Sequence, residues 1–366
     1  MEITVDKSNF LKAVNLVSGV TAQKANTLPI LGNILMEVGK KGSVSLIGTD
    51  LEVGISTSVP VQVTKEGDIT VPAKKIYEII RELPEGEIEI TVAKNNAVNI
   101  KSGKSYFKIM GLTKEDYPKL PEWSLENAFE IEQAVLREGL MLTAFAISND
   151  ETRYVLNGVL ISIKNNKIRF VATDGRRLAM VEKQIQNQTG KNIDMIVPIK
   201  AIHELMKVLS WDGVVQLVPS QNQVVFNLGQ TFIISRLIEG HFPNYEQVVP
   251  KEERTTASVG REELLQGIRR AALLTSPDSP AVKLDFIKGK ILISSRSPNL
   301  GEAKEEVGAD VKGGDVAIGF NPHYLMDVLK NLDIDKVTFS LTDADKPGLI
   351  RGKDGYQYVV MPMQLN

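Results

Sequence analysis

The sequence predicts an α+β chain of three similar domains, each with two helices packed on antiparallel sheets, and three observations predict it. The first is a repeated helical segment. Val71-Pro-Ala-Lys-Lys-Ile-Tyr-Glu-Ile-Ile-Arg-Glu-Leu83 returns as Val197-Pro-Ile-Lys-Ala-Ile-His-Glu-Leu-Met-Lys-Val-Leu209 and as Phe320-Asn-Pro-His-Tyr-Leu-Met-Asp-Val-Leu-Lys-Asn-Leu332, with final leucines 126 and 123 positions apart. The second is a helix that opens each unit, after Val5, Ile131 and Val259; Phe10, Leu136 and Leu264 then correspond, as do Val14, Leu140 and Ile268. The third is a matching set of strands in fixed order: Val44 to Asp50, Ile168 to Asp174 and Ile291 to Arg296, then closing strands Tyr106–Met110, Thr231–Arg236 and Tyr356–Met361. A repeat of about 125 residues is of domain length, far longer than a solenoid unit.

Within a unit, each element has a local cause. In the first helix Asp6 or Ser8 supplies a cap, and Phe10, Leu11, Val14 and Val17 form an apolar stripe at helical spacing. The hairpin turns before the middle strands are Gly39-Lys-Lys-Gly42, Lys164-Asn-Asn-Lys167 and Lys288-Gly-Lys290, rich in residues that tolerate positive φ. The second helix follows Val-Pro or Asn-Pro, where proline suits the first turn. Ile76, Ile79, Ile80 and Leu83 make its buried side. The opposite face reads Lys74, Glu78, Arg81, then Lys200, Glu204, Lys207, then His323, Asp327, Lys330. One such triad reads as a solvated ion-paired face; its recurrence points to a shared face with one job. Asp116-Tyr-Pro118 parallels His241-Phe-Pro243, which places domains at 1–122, 127–246 and 254–366, with linkers near 121–127 and 246–254.

Composition removes several classes of function. The 366 residues contain no cysteine, so disulfides and thiolate metal sites are excluded, and the three histidines are scattered. There is no GxSxG, no Walker glycine loop and no zinc-spaced cluster. No catalytic residue, metal or cofactor is therefore expected. No apolar run reaches membrane-spanning length, and the start, Met-Glu-Ile-Thr-Val-Asp, reads as a strand and not as a signal peptide. With 43 Lys and Arg against 45 Asp and Glu, the net charge of −2 argues against a uniformly basic nucleic-acid binder but permits segregated charge.

Three further segments, Val171-Ala-Thr-Asp-Gly-Arg-Arg-Leu-Ala179, Tyr358-Val-Val-Met-Pro-Met363 and Leu28-Pro-Ile-Leu-Gly-Asn33, resemble the bacterial sliding clamp, the beta subunit of DNA polymerase III. The resemblance covers the whole chain. It implies a head-to-tail homodimer whose six domains close a ring around duplex DNA, with twelve helices lining the hole. Twelve helices spaced at about 10 Å give a circle about 38 Å across, and less one helix diameter of about 10 Å this leaves room for a hydrated duplex. It also implies a cytoplasmic, nucleoid-associated processivity factor without catalytic activity. Its partners would be double-stranded DNA without sequence specificity, the DNA polymerase III alpha subunit, the clamp loader, and other DNA polymerases and repair proteins carrying clamp-binding peptides.

Residue by residue, the resemblance implies DNA contacts from Lys24, Lys74, Lys75, Arg153, Tyr154, Lys200 and Lys207, with Lys12 a further candidate and Lys24 and Lys200 the leading ones. Phosphate contacts of this kind carry no sequence information. The implied peptide groove uses Leu156, Thr173, Gly175, Arg176, Arg177, Leu178, Pro243, Val248, Asn321, Tyr324, Val359, Met361, Pro362 and Met363. Methionines suit a surface that accepts several partners, and Arg176 and Arg177 are expected to offer donors to the peptide. By its residues alone, the Met361-Pro-Met363 tail reads equally well as a last strand in a core. The implied dimer seam pairs Phe107 and Ile109 with Leu273 and Leu274, although the latter two also suit an intradomain core. Gln364 and Gln247 stand where the family more often has basic residues, and Asn366 extends the chain, which thins the charge at the groove rim.

Overall fold

A computed structural model describes residues 1–22, 28–39, 42–276, 280–353 and 355–365. Among these lie six α-helices, two per sequence repeat: α1 (Lys7–Ser18), α2 (Ala73–Glu82), α3 (Gln133–Thr143), α4 (Ile199–Val208), α5 (Arg261–Ala272) and α6 (Pro322–Asn331). Asp6 caps α1, its carboxylate accepting from the Asn9 N–H at 3.0 Å. Phe10, Val14 and Val17 are buried as the periodicity requires, joined by Ala13, whereas Leu11 is only half-buried. Of the three second helices, proline opens α6, at Pro322; Pro72 and Pro198 instead end the preceding strands Gly67–Pro72 and Ile193–Pro198. Pro72 keeps extended backbone at the N-cap (φ −57°, ψ 115°), one step before the helix begins.

By contact density the described chain forms two compact units, residues 1–134 with 200–237 and residues 135–199 with 238–366. The first unit holds two sheets. One has five strands, ordered Gln62–Lys65, Glu2–Asp6, Glu87–Val92, Ala97–Ser102 and Ser105–Met110. The other has eight, ordered Phe129–Glu132, Val214–Pro219, Gln223–Asn227, Thr231–Arg236, Val53–Pro60, Ser43–Thr49, Asn33–Val38 and Gly67–Pro72. Its centre is the pairing of Thr231–Arg236 with Val53–Pro60, which joins strands of the second and first repeats edge to edge. Helix α1 packs on α2 and on the strands Ser43–Thr49 and Val53–Pro60.

The second unit is built on one twelve-stranded sheet. Here Arg177–Gln184 of the second repeat pairs with Gln357–Val360 of the third, with Arg177 opposite Val360 and Leu178 opposite Val359. Helix α5 packs on α6 and on the strands Lys290–Ser297 and Gly301–Gly313. The second repeat is thus divided because its strands extend two different sheets. Pairing at both edges satisfies backbone groups that an isolated domain would expose.

Candidate partner-binding and DNA-facing sites

The surface around the Arg177–Gln184 and Gln357–Val360 pair is built from a turn. At the end of strand Lys167–Thr173, the Thr173 hydroxyl donates to the Arg177 carbonyl at 2.6 Å and accepts from the Gly175 N–H at 3.1 Å. Asp174 Oδ1 accepts from the N–H groups of Arg176 and Arg177. The closed turn puts Gly175 at φ +86°, a left-handed conformation that glycine adopts at no steric cost. From it, the Arg176 carbonyl accepts the Met361 N–H at 2.9 Å, seating the chain end against the turn.

The apolar floor consists of Leu160, Val171, Leu178, Ile196, Leu349 and Val359, all buried, with Phe242 and Tyr245 packed against them. Leu178 and Val359 are therefore floor, and Leu156 is buried at the end of the 3-10 segment Glu151–Leu156. The rim is open: Gly175, Arg176, Pro243, Val248 and Met361 are exposed, Met361 by 42%, and Pro362 and Met363 are half-buried. Met363 is held by an N–H···O bond to Gly319 at 2.8 Å. The tail is thus neither a strand tucked into a core nor a free end. It is pinned at two backbone positions, with Met361 exposed and Met363 half-buried.

Three residues expected in the groove do other work. Arg177 is a correction: its side chain is 10% exposed and three of its five N–H groups are engaged within the chain. Nε pairs with Asp174 at 3.0 Å, Nη1 with Asp327 at 2.6 Å, and Nη2 donates to the Phe145 carbonyl at 2.7 Å. The guanidinium also lies over the Tyr324 ring, 4.5 Å from its centroid. Held this way and nearly buried, it backs the turn from within; Arg176 is the arginine at the surface. Tyr324 supports Arg177 from below, and its carbonyl accepts the Tyr358 hydroxyl at 2.9 Å. Asn321 spends its side-chain oxygen capping α6 through the His323 N–H. Nothing in sequence separates Arg176 from Arg177, because the deciding partner, Asp327, lies 150 residues away.

Several of the expected DNA-facing residues meet in the first unit. A cleft of about 790 Å³ between α1 and α2 is lined by Lys74 and Lys207, and also by Arg81 and Tyr77. Arg81 belonged to the repeated basic–acidic–basic face but was not among the expected contacts; the recurrence was the signal that finds it. Lys74, Lys75 and Lys12 are exposed, Lys75 pairing with Glu78 at 2.7 Å. Lys207 pairs with Glu204, which is buried against Gly19. Lys200 pairs with Asp50, and this ties α4 to the turn after strand Ser43–Thr49. Its charge is already matched, so its place as a leading DNA contact is weakened. Lys24, the other leading residue, lies outside the described residues. In the second unit Arg153 and Tyr154 are exposed on the 3-10 segment. The middle acid of the repeated triad therefore has three different partners: Lys75 for Glu78, Lys207 for Glu204 and Arg177 for Asp327.

The seam residues lie at the surface of their units. Ser105–Met110 is the last strand of the five-stranded sheet, with Phe107 exposed and Ile109 half-buried. Tyr106, Met110 and Leu112 are exposed beside them, an apolar cluster that the sequence reading did not collect. In the second unit Leu273 follows α5 with 74% of its surface exposed, which excludes the intradomain-core reading for it; Leu274 is half-buried. Among the described residues no group of three or more His, Asp or Glu is placed to hold a metal, and no helix is long and apolar enough to cross a membrane.

Fold and surfaces thus define a three-repeat α+β protein with a pinned methionine-bearing tail and no constructed catalytic centre among the described residues. The DNA polymerase III beta subunit family matches along the chain: its N-terminal domain over residues 1–121, its central domain over 130–244 and its C-terminal domain over 246–364. The beta sliding clamp of Proteus mirabilis is 36% identical and that of Pseudomonas aeruginosa 35%, each alignment covering both chains in full. A solved sliding clamp from P. aeruginosa bound to griselimycin superposes with a TM-score of 0.95 at 35% identity, and one from Bacillus subtilis with 0.95 at 29%, again over both full chains. The chain belongs to the DNA polymerase III beta subunit family, the bacterial beta sliding clamps. Its function is that of a DNA sliding clamp in replication, a processivity factor without catalysis of its own, whose partners are DNA and polymerase.

Proposed function

We propose that two copies, each with domains at 1–122, 127–246 and 254–366, close head to tail into a six-domain ring around duplex DNA. The observation that carries this reading is the pair of unsatisfied surfaces: an apolar, open edge strand at Ser105–Met110 and an outward Leu273 after α5. Phe107 and Ile109 of one copy would meet Leu273 and Leu274 of the other, and the edge strand would gain a backbone partner. Such a heterologous contact closes when the rotation per domain fits six steps.

Within the ring, retention is topological, so DNA contacts stay weak and without sequence preference. Lys24, Lys74, Lys75, Arg81, Lys200 and Lys207 and, in the second unit, Arg153 and Tyr154 would supply them, Lys200 by exchanging its Asp50 partner for phosphate. Affinity measured on linear DNA should accordingly be low and fall with salt. The surface around Gly175, Arg176, Pro243, Val248, Met361 and Met363 would take short peptides from the DNA polymerase III alpha subunit, the clamp loader, other DNA polymerases and repair proteins. A tethered polymerase then rebinds at high effective concentration. The cytoplasmic nucleoid is the expected location.

The test is retention on DNA. The protein is loaded by a compatible clamp loader onto a nicked circle, separated by size, and the circle then cut. Retention before cutting and release after it supports encirclement. Equal retention in both states overturns the ring. If loading fails, sedimentation decides: a chain that remains monomeric at micromolar concentration overturns it as well.

A further inference from the structure

The turn at Thr173–Arg177 has a counterpart in the first unit, and the two agree atom by atom. The Thr49 hydroxyl donates to the Val53 carbonyl at 3.0 Å and accepts from the Leu51 N–H at 3.0 Å. Asp50 Oδ1 accepts from the N–H groups of Glu52 and Val53. Leu51 stands at φ +77°, where Gly175 stands at +86°. The Glu52 carbonyl accepts the Arg236 N–H at 2.9 Å, as the Arg176 carbonyl accepts that of Met361 at the same distance. Strand register agrees too: Ile234 faces Gly54 as Val359 faces Leu178. The repeat has therefore built the same backbone groove twice.

The copies differ in what fills them. Where Leu178 supplies the floor of one, the other has Gly54, and a Cβ added there would lie 2.5 Å from Leu120 Cδ2. Leu120 belongs to Pro118–Pro121, which follows Tyr117 as Pro243 follows Phe242. A pocket of about 230 Å³ remains around it, lined by Thr49, Leu51, Gly54, Ile234, Arg236 and the Pro118–Pro121 segment itself. The occupant shows the chemistry the site takes. It is a short stretch outside any helix or strand, whose leucine covers a glycine floor and whose flanking prolines have no N–H to satisfy.

We propose that the junction of the first and second repeats is a second peptide-docking groove, closed in cis by Pro118–Pro121, and that its ligand class is a short peptide presenting a leucine-sized aliphatic side chain. This rests on the reading of the Met361 surface as a peptide groove. The tethered segment competes at high effective concentration, so the native chain holds the site shut. Removing Leu120 opens a leucine-shaped space over Gly54.

The probe is the acetylated, amidated hexapeptide Tyr-Pro-Lys-Leu-Pro-Glu, the sequence of residues 117–122. It is titrated into chains carrying Met361→Ala and Met363→Ala, so that the other groove is disabled in every sample. The chain with native Leu120 should bind it at least about tenfold more weakly than the chain with Leu120→Ala, the factor expected for one leucine side chain regained by burial. Adding Gly54→Leu should abolish the gain. Equal binding with and without Leu120, or a gain indifferent to Gly54→Leu, overturns the proposal. Failure of the Met361 groove is read separately, from a partner peptide titrated into the native chain. A second variant covers the case in which Leu120→Ala does not fold. Gly54→Leu alone should expel Leu120 and raise tryptic cleavage after Lys119 about tenfold, since cleavage follows the population of the open form. Unchanged cleavage at Lys119 overturns the proposal by itself.

Discussion

The turns at Thr49–Val53 and Thr173–Arg177 close with the same threonine and aspartate bonds, yet they are tied to the following repeat by different charges. In the first unit Asp50 pairs directly with Lys200 at the start of α4. In the second, Asp174 pairs with Arg177, and Arg177 reaches on to Asp327 of α6, the Phe145 carbonyl and the Tyr324 ring. The lysine is half-exposed and its pairing is a single contact. The arginine is nearly buried and joins three elements. The difference shows how one turn design is braced in two ways: the second-unit turn is backed by a planar cation held by several partners, and the first-unit turn is backed by a single lysine contact, with Leu120 packed over Gly54 beside it.

The largest expected effect comes from removing that arginine. Arg177→Ala leaves Asp174, 17% exposed, and Asp327, 36% exposed, without their cation, and after discount for the solvent that reaches Asp327 the cost should be about 3 kcal/mol. Val53, its counterpart, is buried and apolar, and Val53→Ala should cost about 1–2 kcal/mol from lost burial. Chemical denaturation of the two variants checks the order. Similar losses would mean that the arginine network contributes little beyond its volume.

The next effect separates the two grooves by ligand. Met361→Ala should weaken a clamp-binding peptide about tenfold, as loss of a central apolar contact does. Arg236→Ala, at the position that matches Met361 in the first unit, should leave that affinity unchanged. Titration calorimetry with one peptide and both variants decides it; equal weakening would show that the two surfaces are not independent.

A pH effect is smaller and shared. Burial pushes the Tyr117 phenol of the first unit and the Tyr358 phenol of the second above the ordinary tyrosine range. Each folded-state value therefore exceeds the unfolded one. The stability they contribute is complete below the unfolded value near 10 and is lost as pH rises through the folded values, because the unfolded chain releases the protons first. Melting temperature should fall above about pH 10, and Tyr117→Phe or Tyr358→Phe should each flatten that fall. The single Tyr117 O–H is shared between the Asn33 and Ile47 carbonyls at 3.2 and 3.0 Å, and the Tyr358 O–H goes to the Tyr324 carbonyl at 2.9 Å, so each Tyr→Phe change should cost about 1 kcal/mol at neutral pH.

Helices and strands were legible in the sequence because their periods are local: Phe10, Val14 and Val17 repeat at helical spacing, and the cap was narrowed to Asp6 or Ser8, of which the structure uses Asp6. The threefold repeat was legible because it is a comparison of the chain with itself. The division of the second repeat between two sheets was not, since Thr231–Arg236 joins Val53–Pro60 through backbone bonds that carry no residue code. The rim of the Met361 surface came from the family resemblance, since by residue type alone the tail read equally well as a core strand; the structure leaves Gly175, Arg176, Pro243, Val248 and Met361 exposed. Arg177 was misread because its burial depends on Asp327, and Leu120 was passed over because only the glycine opposite it gives it a place to sit.

The smallest effect tests the turn itself. Leu51 holds a left-handed conformation that costs an ordinary residue about 1–2 kcal/mol. Glycine removes that strain but gives the unfolded chain more freedom, worth about 0.5–1 kcal/mol in the opposite sense. Leu51→Gly should therefore stabilise the chain by less than about 1 kcal/mol. Gly175→Ala should destabilise it by about 1 kcal/mol, because the strain appears without compensation and a Cβ there meets Arg153 Nη1 at 2.8 Å. Paired thermal melts give the sign of each. If Leu51→Gly is destabilising instead, the Leu51 side chain must contribute packing that outweighs its backbone strain, and since it lines the pocket holding Pro118–Pro121, that packing would be part of what keeps the first groove shut.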